Sequence, residues 1–417
     1  MMRKILFGLV LIMGIIPFTI LWVVMNVRLY SHSSGVYTHE RFESEVLPQL
    51  RFIRSALDQN RDVEMQSYFP EGYFFTNVLY GMAWVNVGLQ DDLLRDQALT
   101  EAEFAYARVD SARGRSAFSS FLTPPYGVFY EGWRLWLLGG ILSLQADAER
   151  DPARVNVYQE DVAALVSAFE ANTTPFLTAY PGRSWPVDST VAVASIQLHD
   201  TLFAPQYADF IQTWLDEAFA LADPQTGLLP HEVRASDGVA IDDVRSTSQS
   251  LIIRFLYEID PPRAEAQYQE FRRVFFDRPL GVPAIREYVH GVDGGWGDVD
   301  SGPLILGISA SSSAVSIGTA QVLGDDALAT TLLNTAEAVG LPFQLGDQTV
   351  YAFGILPVGD AFLAWARTSI PWAQAPTSTS YEPVIDASWR LPIHVITFVP
   401  IGILWIAWFW MWRKTKR

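Results

Sequence analysis

Three aspartates lie among five glycines and a tryptophan in HGVDGGWGDVDSGP, residues 290–303. Enzymes use carboxylates in pairs for general acid/base catalysis, one held protonated by apolar surroundings and one ionised. Asp298 and Asp300 are two residues apart, and if both were buried their repulsion would raise the pKa of one of them. The stretch therefore predicts either a solvated turn with a helix-capping aspartate or part of an acid/base site.

Five further loops share this chemistry: each contains a carboxylate and precedes an apolar helix, and all but DDVRSTSQ (242–249) also hold glycine or proline and aromatic side chains. They are SYFPEGY (67–73), TPPYGVFYEG (123–132), GRSWPVDS (182–189), DDVRSTSQ (242–249) and FGILPVGD (353–360), and with GDVDSGP (297–303) we call them the mouth loops. The carboxylates predicted to be catalytic are Glu131, Asp188, Asp298 and Asp300. N-terminal capping is the alternative role for Asp188 and Asp300.

His231, in GLLPHEVR, is the histidine predicted to act as an acid/base group or ligand; a surface-loop histidine is the alternative. The sequence has no HExxH or other tight ligand spacing, which argues against a required transition metal. Calcium held by Asp293, Asp298 and Asp300 is an alternative, although their spacing is not that of an EF-hand loop. We predict no cofactor and no metal.

Aromatic side chains in the mouth loops are predicted to bind the substrate. They are Tyr68, Tyr126, Tyr130, Trp185, Trp296 and Phe353. Tyrosine and tryptophan beside acids suit sugar rings, whereas phenylalanine suits an isoprenoid or acyl chain, and some of these rings must simply pack the top of the fold. The set is mixed and leaves both substrate classes open.

Two kinds of helix alternate between the chain ends, and these must position the loops. Helices apolar nearly all round are predicted to begin near 73, 127, 188, 246, 302 and 357. Amphipathic helices are predicted at 40–58, 93–111, 153–171, 206–222, 262–276 and 325–338. A near-constant period with two helices in each repeat predicts an all-α fold of six hairpins, closed into an (α/α)6 toroid; an open solenoid is the alternative.

The chain ends are predicted to be membrane helices, because residues 5–27 and 392–412 are uncharged apart from His394 and long enough to cross a bilayer. Every lysine lies outside these spans and near a terminus, so both ends are predicted to be cytoplasmic and the main domain extracytoplasmic. All 46 acidic residues and 23 of the 29 basic ones lie between the two outer ends, a surface that repels nucleic acid. There is no cysteine, which excludes disulfides and thiol catalysis.

The predicted organisation has four parts. They are a cytoplasmic N-terminus and span (1–35), the barrel domain (36–373), a linker (374–391), and a second span with a basic tail (392–417). The expected partners are the membrane and a small-molecule or glycan ligand; no protein partner is indicated.

YFPEGYFFTNVLYGMAW in the first hairpin and SWPVDSTVAVASI in the third resemble the (α/α)6 enzymes, and most closely the linalool dehydratase/isomerase-type domains. The resemblance covers most of residues 40–370 and implies a hydro-lyase or isomerase acting on an apolar alcohol, with Tyr73 and Asp188 as site residues. That family also uses cysteine, which this chain lacks. The same toroid is similar to that of glycoside hydrolases, polysaccharide lyases and sugar epimerases. A non-catalytic module that binds a glycan or a lipid is the third interpretation of the domain's function.

Overall fold

The computed structural model describes residues 2–32, 37–292, 294–377, 379, 381–382 and 384–416, which are mostly helical. In chain order the helices are α1 (Met2–Val10), α2 (Ile16–Arg28), α3 (His39–Arg41), α4 (Leu47–Asp58), α5 (Arg61–Tyr68), α6 (Gly72–Gln90), α7 (Arg95–Val109), α8 (Gly127–Ser143), α9 (Pro152–Ala171), α10 (Pro186–Leu202), α11 (Ala208–Ala220), α12 (Ser246–Ile259), α13 (Pro261–Phe275), α14 (Ala310–Val322), α15 (Asp326–Gly340), α16 (Pro357–Thr368) and α17 (Arg390–Lys416).

Six helices are buried nearly all round: α6, α8, α10, α12, α14 and α16, which we call the inner helices. Their surfaces are apolar or small on every side, so they must be covered by neighbours. Each inner helix contacts the next along the chain, and α16 contacts α6. The outer helices α4, α7, α9, α11, α13 and α15 alternate with them, and five of the six predicted inner-helix starts lie within two residues of the observed ones.

Close approach between inner helices depends on glycine. A methyl group at Gly132 of α8 would lie 3.0 Å from the backbone nitrogen of Ala192 in α10. A methyl group at Gly81 of α6 would lie 2.9 Å from the side chains of both Ala105 and Leu137. Larger residues at these positions would force the helices apart, a change that typically costs 1–3 kcal/mol in a packed core.

Aromatic rings fill the space among the inner helices. Trp133 lies 5.2 Å from Phe255 and 6.2 Å from Trp365, measured between ring centroids. At the end where the inner helices finish, which we call the base, Trp372 stacks on Trp136 at 4.6 Å. The Trp372 indole also donates a 2.7 Å hydrogen bond to Asn86, so the segment after α16 closes the base.

The opposite end, where the inner helices begin, carries the mouth loops and the short strands. The strands are β1 (Arg183–Ser184), β2 (Glu232–Arg234), β3 (Ala240–Asp242), β4 (Phe276–Asp277), β5 (Ala284–Ile285), β6 (Phe343–Leu345) and β7 (Gln348–Val350). They pair antiparallel as β1-β2-β3, β4-β5 and β6-β7, with Arg183 opposite Arg234. The first sheet ties the mouth loop before α10 to the one before α12.

The prediction that the fifth inner helix begins near 302 is wrong, because α14 begins at Ala310. Gly302, Leu306 and Gly307 have φ of 66°, 55° and 78°, which a right-handed helix does not allow. Ser309 caps the helix instead, accepting a 3.1 Å hydrogen bond from the N–H of Ser312. The loop before α14 is therefore longer than its small and apolar residues suggested.

Two terminal helices are long and apolar enough to cross a membrane, over Leu6–Arg28 and Ala387–Lys414, and only 6% of each stretch is buried. They pack against each other. The Trp22 indole donates to Thr397 Oγ1 at 3.0 Å, and the Trp405 indole donates to Thr19 Oγ1 at 3.0 Å. Most of their remaining surface is apolar and uncovered.

The predicted linker, 374–391, passes from the base to the mouth along the outside of α13. Near the base Thr377 donates to Glu265 at 3.2 Å, and further along the Tyr381 hydroxyl donates to the Leu323 carbonyl at 3.0 Å. At the mouth end Arg278 donates to the Val384 carbonyl at 3.1 Å. The described linker residues are thus packed on the domain.

Candidate functional site

Asp188 lies at the third position of α10 and is only 4% exposed. Its side chain makes no cap, and among the described residues no hydrogen bond reaches its carboxylate. Burial, followed by the negative charges of Glu71 and Asp300, holds the pKa of Asp188 well above its usual range. A helix N-terminus favours the ionised form by about 1 kcal/mol or less, whereas burial shifts a pKa by up to 3–5 units, so burial prevails. The carboxyl of Asp188 therefore keeps its proton to a higher pH than a solvated aspartate does.

Glu71, the residue before α6, is the second acid of this group. The Tyr180 hydroxyl, from the loop before β1, donates a short hydrogen bond to its Oε1. Burial and the nearby charge of Asp300 raise the pKa of Glu71. The loop that precedes α6 and the loop that precedes α10 are therefore in contact at the Glu71 carboxylate.

Asp300 and His231 form the other side of the group. His231 Nε2 lies 3.8 Å from Asp300 Oδ2, beyond hydrogen-bond distance, while His231 Nδ1 lies 2.5 Å from Ser248 Oγ. Burial and the charge of Arg245 lower the pKa of His231 to about 4, so its imidazole is neutral at pH 7. Burial, and after it the charge of Asp298, raises the pKa of Asp300, although half of its side chain is exposed.

Three carboxylates from three mouth loops and the neutral imidazole of His231, the residue before β2, thus converge. The negative charges of neighbouring carboxylates repel, so the three acids titrate as a coupled set in which each pKa is raised. Protonated and ionised acids side by side are the arrangement that general acid/base catalysis needs.

Arginines hold this group in place from outside. Arg183 makes a bidentate ion pair with Glu232 at 2.7 and 2.6 Å. Arg245 binds both oxygens of Asp298, at 2.7 and 2.9 Å, and also Glu287 at 2.8 Å. Charge-assisted bidentate contacts of this kind fix geometry as well as adding energy.

Asp298 is a structural acid of the Gly-rich loop. Burial opposes its ionisation, but hydrogen bonds from Arg245 and Ser301 prevail and hold the pKa of Asp298 below its usual range. Its Oδ1 accepts the N–H groups of Asp300 and Ser301, each at 3.0 Å. The loop that carries Asp300 is therefore shaped by Asp298, whose carboxylate faces a guanidinium.

Asp293 lies outside the described residues, and in the described part of the chain no cluster of three or more acidic or histidine residues is arranged to hold a metal ion.

Glu131 and Tyr73 lie apart from the acidic group. Glu131 accepts a 2.6 Å hydrogen bond from Arg134, which also pairs with Asp161 of α9, so the Glu131 carboxylate faces the outer helices. Burial raises the pKa of Glu131, with the Arg134 charge opposing it. Tyr73 is buried with its ring 5.4 Å from the Arg108 guanidinium of α7.

The predicted aromatic ligands divide by position. Trp185 adjoins the acids: its ring lies 5.7 Å from that of Tyr180, with the Arg183 guanidinium 4.7 Å above it. Tyr130 is buried and Tyr126 packs on it at 5.4 Å. Tyr68, Trp296 and Phe353 are largely exposed at the mouth.

Sequence reasoning did not assign the groups that orient the acids: Tyr180, Arg183, Arg245 and Ser248. Arg183 lies inside a mouth loop and Arg245 immediately precedes α12. Their positions beside the predicted acids could therefore have identified them from the sequence. Tyr180 left no such signal, since only the folded chain brings it to Glu71.

No protein-family model matches the chain, and no curated protein matches it either. The assignment of function therefore depends on the geometry of the site.

Proposed function

We propose that the six hairpins form a closed (α/α)6 toroid and that Glu71, Asp188, His231 and Asp300 are the reaction centre of an acid/base enzyme. The contact of α16 with α6 supports the closed ring. A buried carboxyl without a hydrogen-bond partner among the described residues, beside two further acids, supports the catalytic role. A purely structural carboxylate is normally paired, because an unpaired buried charge is costly.

Asp188 is the proton donor in this proposal. In a glycosidic cleavage its proton passes to the leaving oxygen as the carbon–oxygen bond breaks, and a water forms the new bond to the same carbon. The water gives its proton to Asp300, which is open to solvent. The neutral imidazole of His231 lies 3.8 Å from Asp300 and adds no positive charge to the site.

The charged side chains around the acids favour a hydroxyl-rich substrate. Arg183, Glu232 and Arg245 surround the acids, and Trp185 presents a half-buried ring beside them. Charged hydrogen-bonding groups and an indole suit a sugar better than an apolar alcohol. We therefore propose a glycan-cleaving enzyme, hydrolase or lyase, as the best-supported function.

A dehydratase acting on an apolar alcohol is the second candidate. Phe118 stacks against Tyr180 at 6.1 Å and against Phe129 at 5.4 Å, which places an apolar wall behind the tyrosine that binds Glu71. In that reaction Asp188 protonates the hydroxyl, the carbon–oxygen bond breaks, and Asp300 removes the adjacent carbon-bound proton to leave an alkene and water.

Membrane anchoring through both terminal helices belongs to the same proposal, with both ends in the cytoplasm and the domain outside. It is supported by the two apolar helices and by the position of every lysine at the chain ends.

Asp188→Asn in the full chain, reconstituted in nanodiscs, tests the catalytic assignment. Loss of the proton donor is expected to reduce turnover by about 10²–10⁴-fold. Mass spectrometry of products from a panel of glycans and terpene alcohols separates the reactions, because hydrolysis adds one water, dehydration loses one and isomerisation leaves the mass unchanged.

The matched control is Asp237→Asn, an exposed acid of the β2-β3 turn that pairs with Arg234. Full activity of the Asp188 variant would remove that residue from the mechanism. Glycan binding by the unaltered protein without any turnover would favour a binding module instead.

A further inference from the structure

Both terminal helices leave the domain at its mouth. Arg28, at the end of α2, donates to the Pro342 carbonyl at 2.9 Å, just beyond the mouth end of α15. Arg390, at the start of α17, donates to the Leu29 carbonyl at 2.8 Å. The base, by contrast, is closed by Trp372 and lies a full helix length away.

The first turn of α17 packs against a turn between β4 and β5, at the mouth end of the domain. A methyl group at Gly281 would lie 2.5 Å from Pro392, so the turn Pro279–Gly281 is in direct contact with the beginning of that helix. Arg390 lies 4.7 Å over the rings of both Tyr30 and Trp389. Aromatic and basic side chains at the end of an apolar helix mark the boundary between hydrocarbon and water. That boundary therefore passes at the level of the mouth loops.

Two loops at the mouth expose large apolar side chains. In the loop before α14 they are Trp296, Val299, Ile305 and Leu306, and in the segment before α16 they are Leu345, Phe353, Ile355 and Leu356. We call these eight side chains the apolar rim. Trp296 is 91% exposed and Ile305 73%. Among the described residues near the base, the exposed large apolar side chains are Leu93 and Val157. Large apolar side chains exposed together on neighbouring positions of a loop indicate an interaction site.

We propose that the apolar rim rests in the headgroup layer of the membrane crossed by the terminal helices, so that the acidic site opens toward the bilayer and takes a lipid-borne substrate. The loop before α14 connects the two features, because Val299 and Ile305 flank Asp300 on the same loop. Insertion of this loop places Asp300 next to the polar head of a lipid. The substrate part of the inference rests on the proposed function, and the substrate class it indicates is a glycolipid or lipid-linked glycan.

Single cysteines test the docking, since the chain has none of its own. Ile305→Cys and Ile355→Cys are each labelled with an environment-sensitive fluorophore in full-length protein in nanodiscs. Both labels are expected to emit at shorter wavelength than the free fluorophore in buffer. They should also lose fluorescence when the lipids carry a nitroxide near the headgroup. Leu93→Cys, at 79% exposure near the base, is the matched control and should show neither change. Equal responses at all three positions would overturn the proposed orientation.

Turnover distinguishes the substrate class from the catalytic assignment. Ile305→Ser with Leu306→Ser is expected to lower the rate on a lipid-linked glycan while leaving the rate on its soluble glycan headgroup unchanged, and Leu93→Ser should affect neither. Equal loss on both substrates would overturn the lipid-borne substrate. If the labelled rim lies in the headgroup layer but no substrate is turned over, the docking stands and the catalytic function fails.

Discussion

Two buried clusters of charged side chains differ in how their charges are balanced. Around Arg367, which is fully buried, Glu45 approaches at 3.2 Å, the Tyr37 hydroxyl at 3.2 Å and the Tyr351 hydroxyl at 3.3 Å. His32 bridges Glu45 and Glu337 at 2.9 Å each. Every acid in this cluster faces a basic group, whereas Asp188 in the mouth faces two further acids.

The pKa values follow the same division. Burial works against ionisation of Glu45, but hydrogen bonds from His32 and Arg41 and the charge of Arg367 lower its pKa to about 2. The pKa of Glu337 is lowered as well, against its burial, by His32 and Arg367. The carboxyl pKa values are thus lowered in the charge-balanced cluster and raised where acids face acids, and raised values of this kind are common at catalytic sites.

Arg367→Met is expected to have the largest effect on stability, because it leaves Glu45 and Glu337 facing each other without their shared guanidinium. Breaking a buried pair from one side typically costs about 3–5 kcal/mol. Denaturant unfolding of the purified protein, followed by helical circular dichroism, measures it. An unchanged free energy of unfolding would show that His32, Arg41 and Arg28 balance the two acids without Arg367.

Asp188→Asn is expected to change the pH dependence of stability rather than its level at low pH. The folded-state pKa of Asp188 lies above its ordinary value of 3.8, so the folded protein keeps a proton that the unfolded chain releases. Its stabilisation is therefore complete below about pH 4 and is lost as the pH rises through the folded-state pKa, by at most about 1.4 kcal/mol for each pH unit.

The measurement compares the free energy of unfolding of the two proteins from pH 4 to 8. The unaltered protein should lose stability relative to the Asn variant as the pH rises. Parallel curves would mean that Asp188 is ionised in the folded state, which would also remove it as a proton donor.

Asp161→Asn is expected to have the smallest effect. Its pair with Arg134 is partly exposed at 36% of the Asp161 side chain, and surface pairs contribute roughly 0.2–1 kcal/mol. Arg134 keeps Glu131 as a partner in the variant. A loss as large as that of Arg367→Met in the same unfolding experiment would show that charge balance matters equally at the surface.

The helices were largely predictable from the sequence because inner and outer helices differ in the pattern of their apolar residues. The same pattern also contained the direction in which Glu131 faces. Phe129 and Trp133 pack inward, and residue 131 lies on the opposite side of the same helix, facing Arg134 and the outer layer. Helical periodicity alone therefore places Glu131 on the side of α8 away from Phe129 and Trp133.

Contacts between distant loops were not predictable. Asp300 meets His231 across 69 positions of chain, and Tyr180 meets Glu71 across 109. Spacing along the chain carries no information about which of six similar loops face one another. The neighbours that raise the pKa of Asp188 became visible only with the fold.

The hydrogen bond from Arg390 to the Leu29 carbonyl brings together two points that are 361 residues apart in the chain. A domain whose two ends meet in this way tolerates having them joined directly. A short Gly/Ser connection between these points, with a new start opened at the exposed β2-β3 turn, is expected to give a circularly permuted domain freed from its lipid anchors. A covalent link would then hold the two ends together where the Arg390 hydrogen bond holds them now.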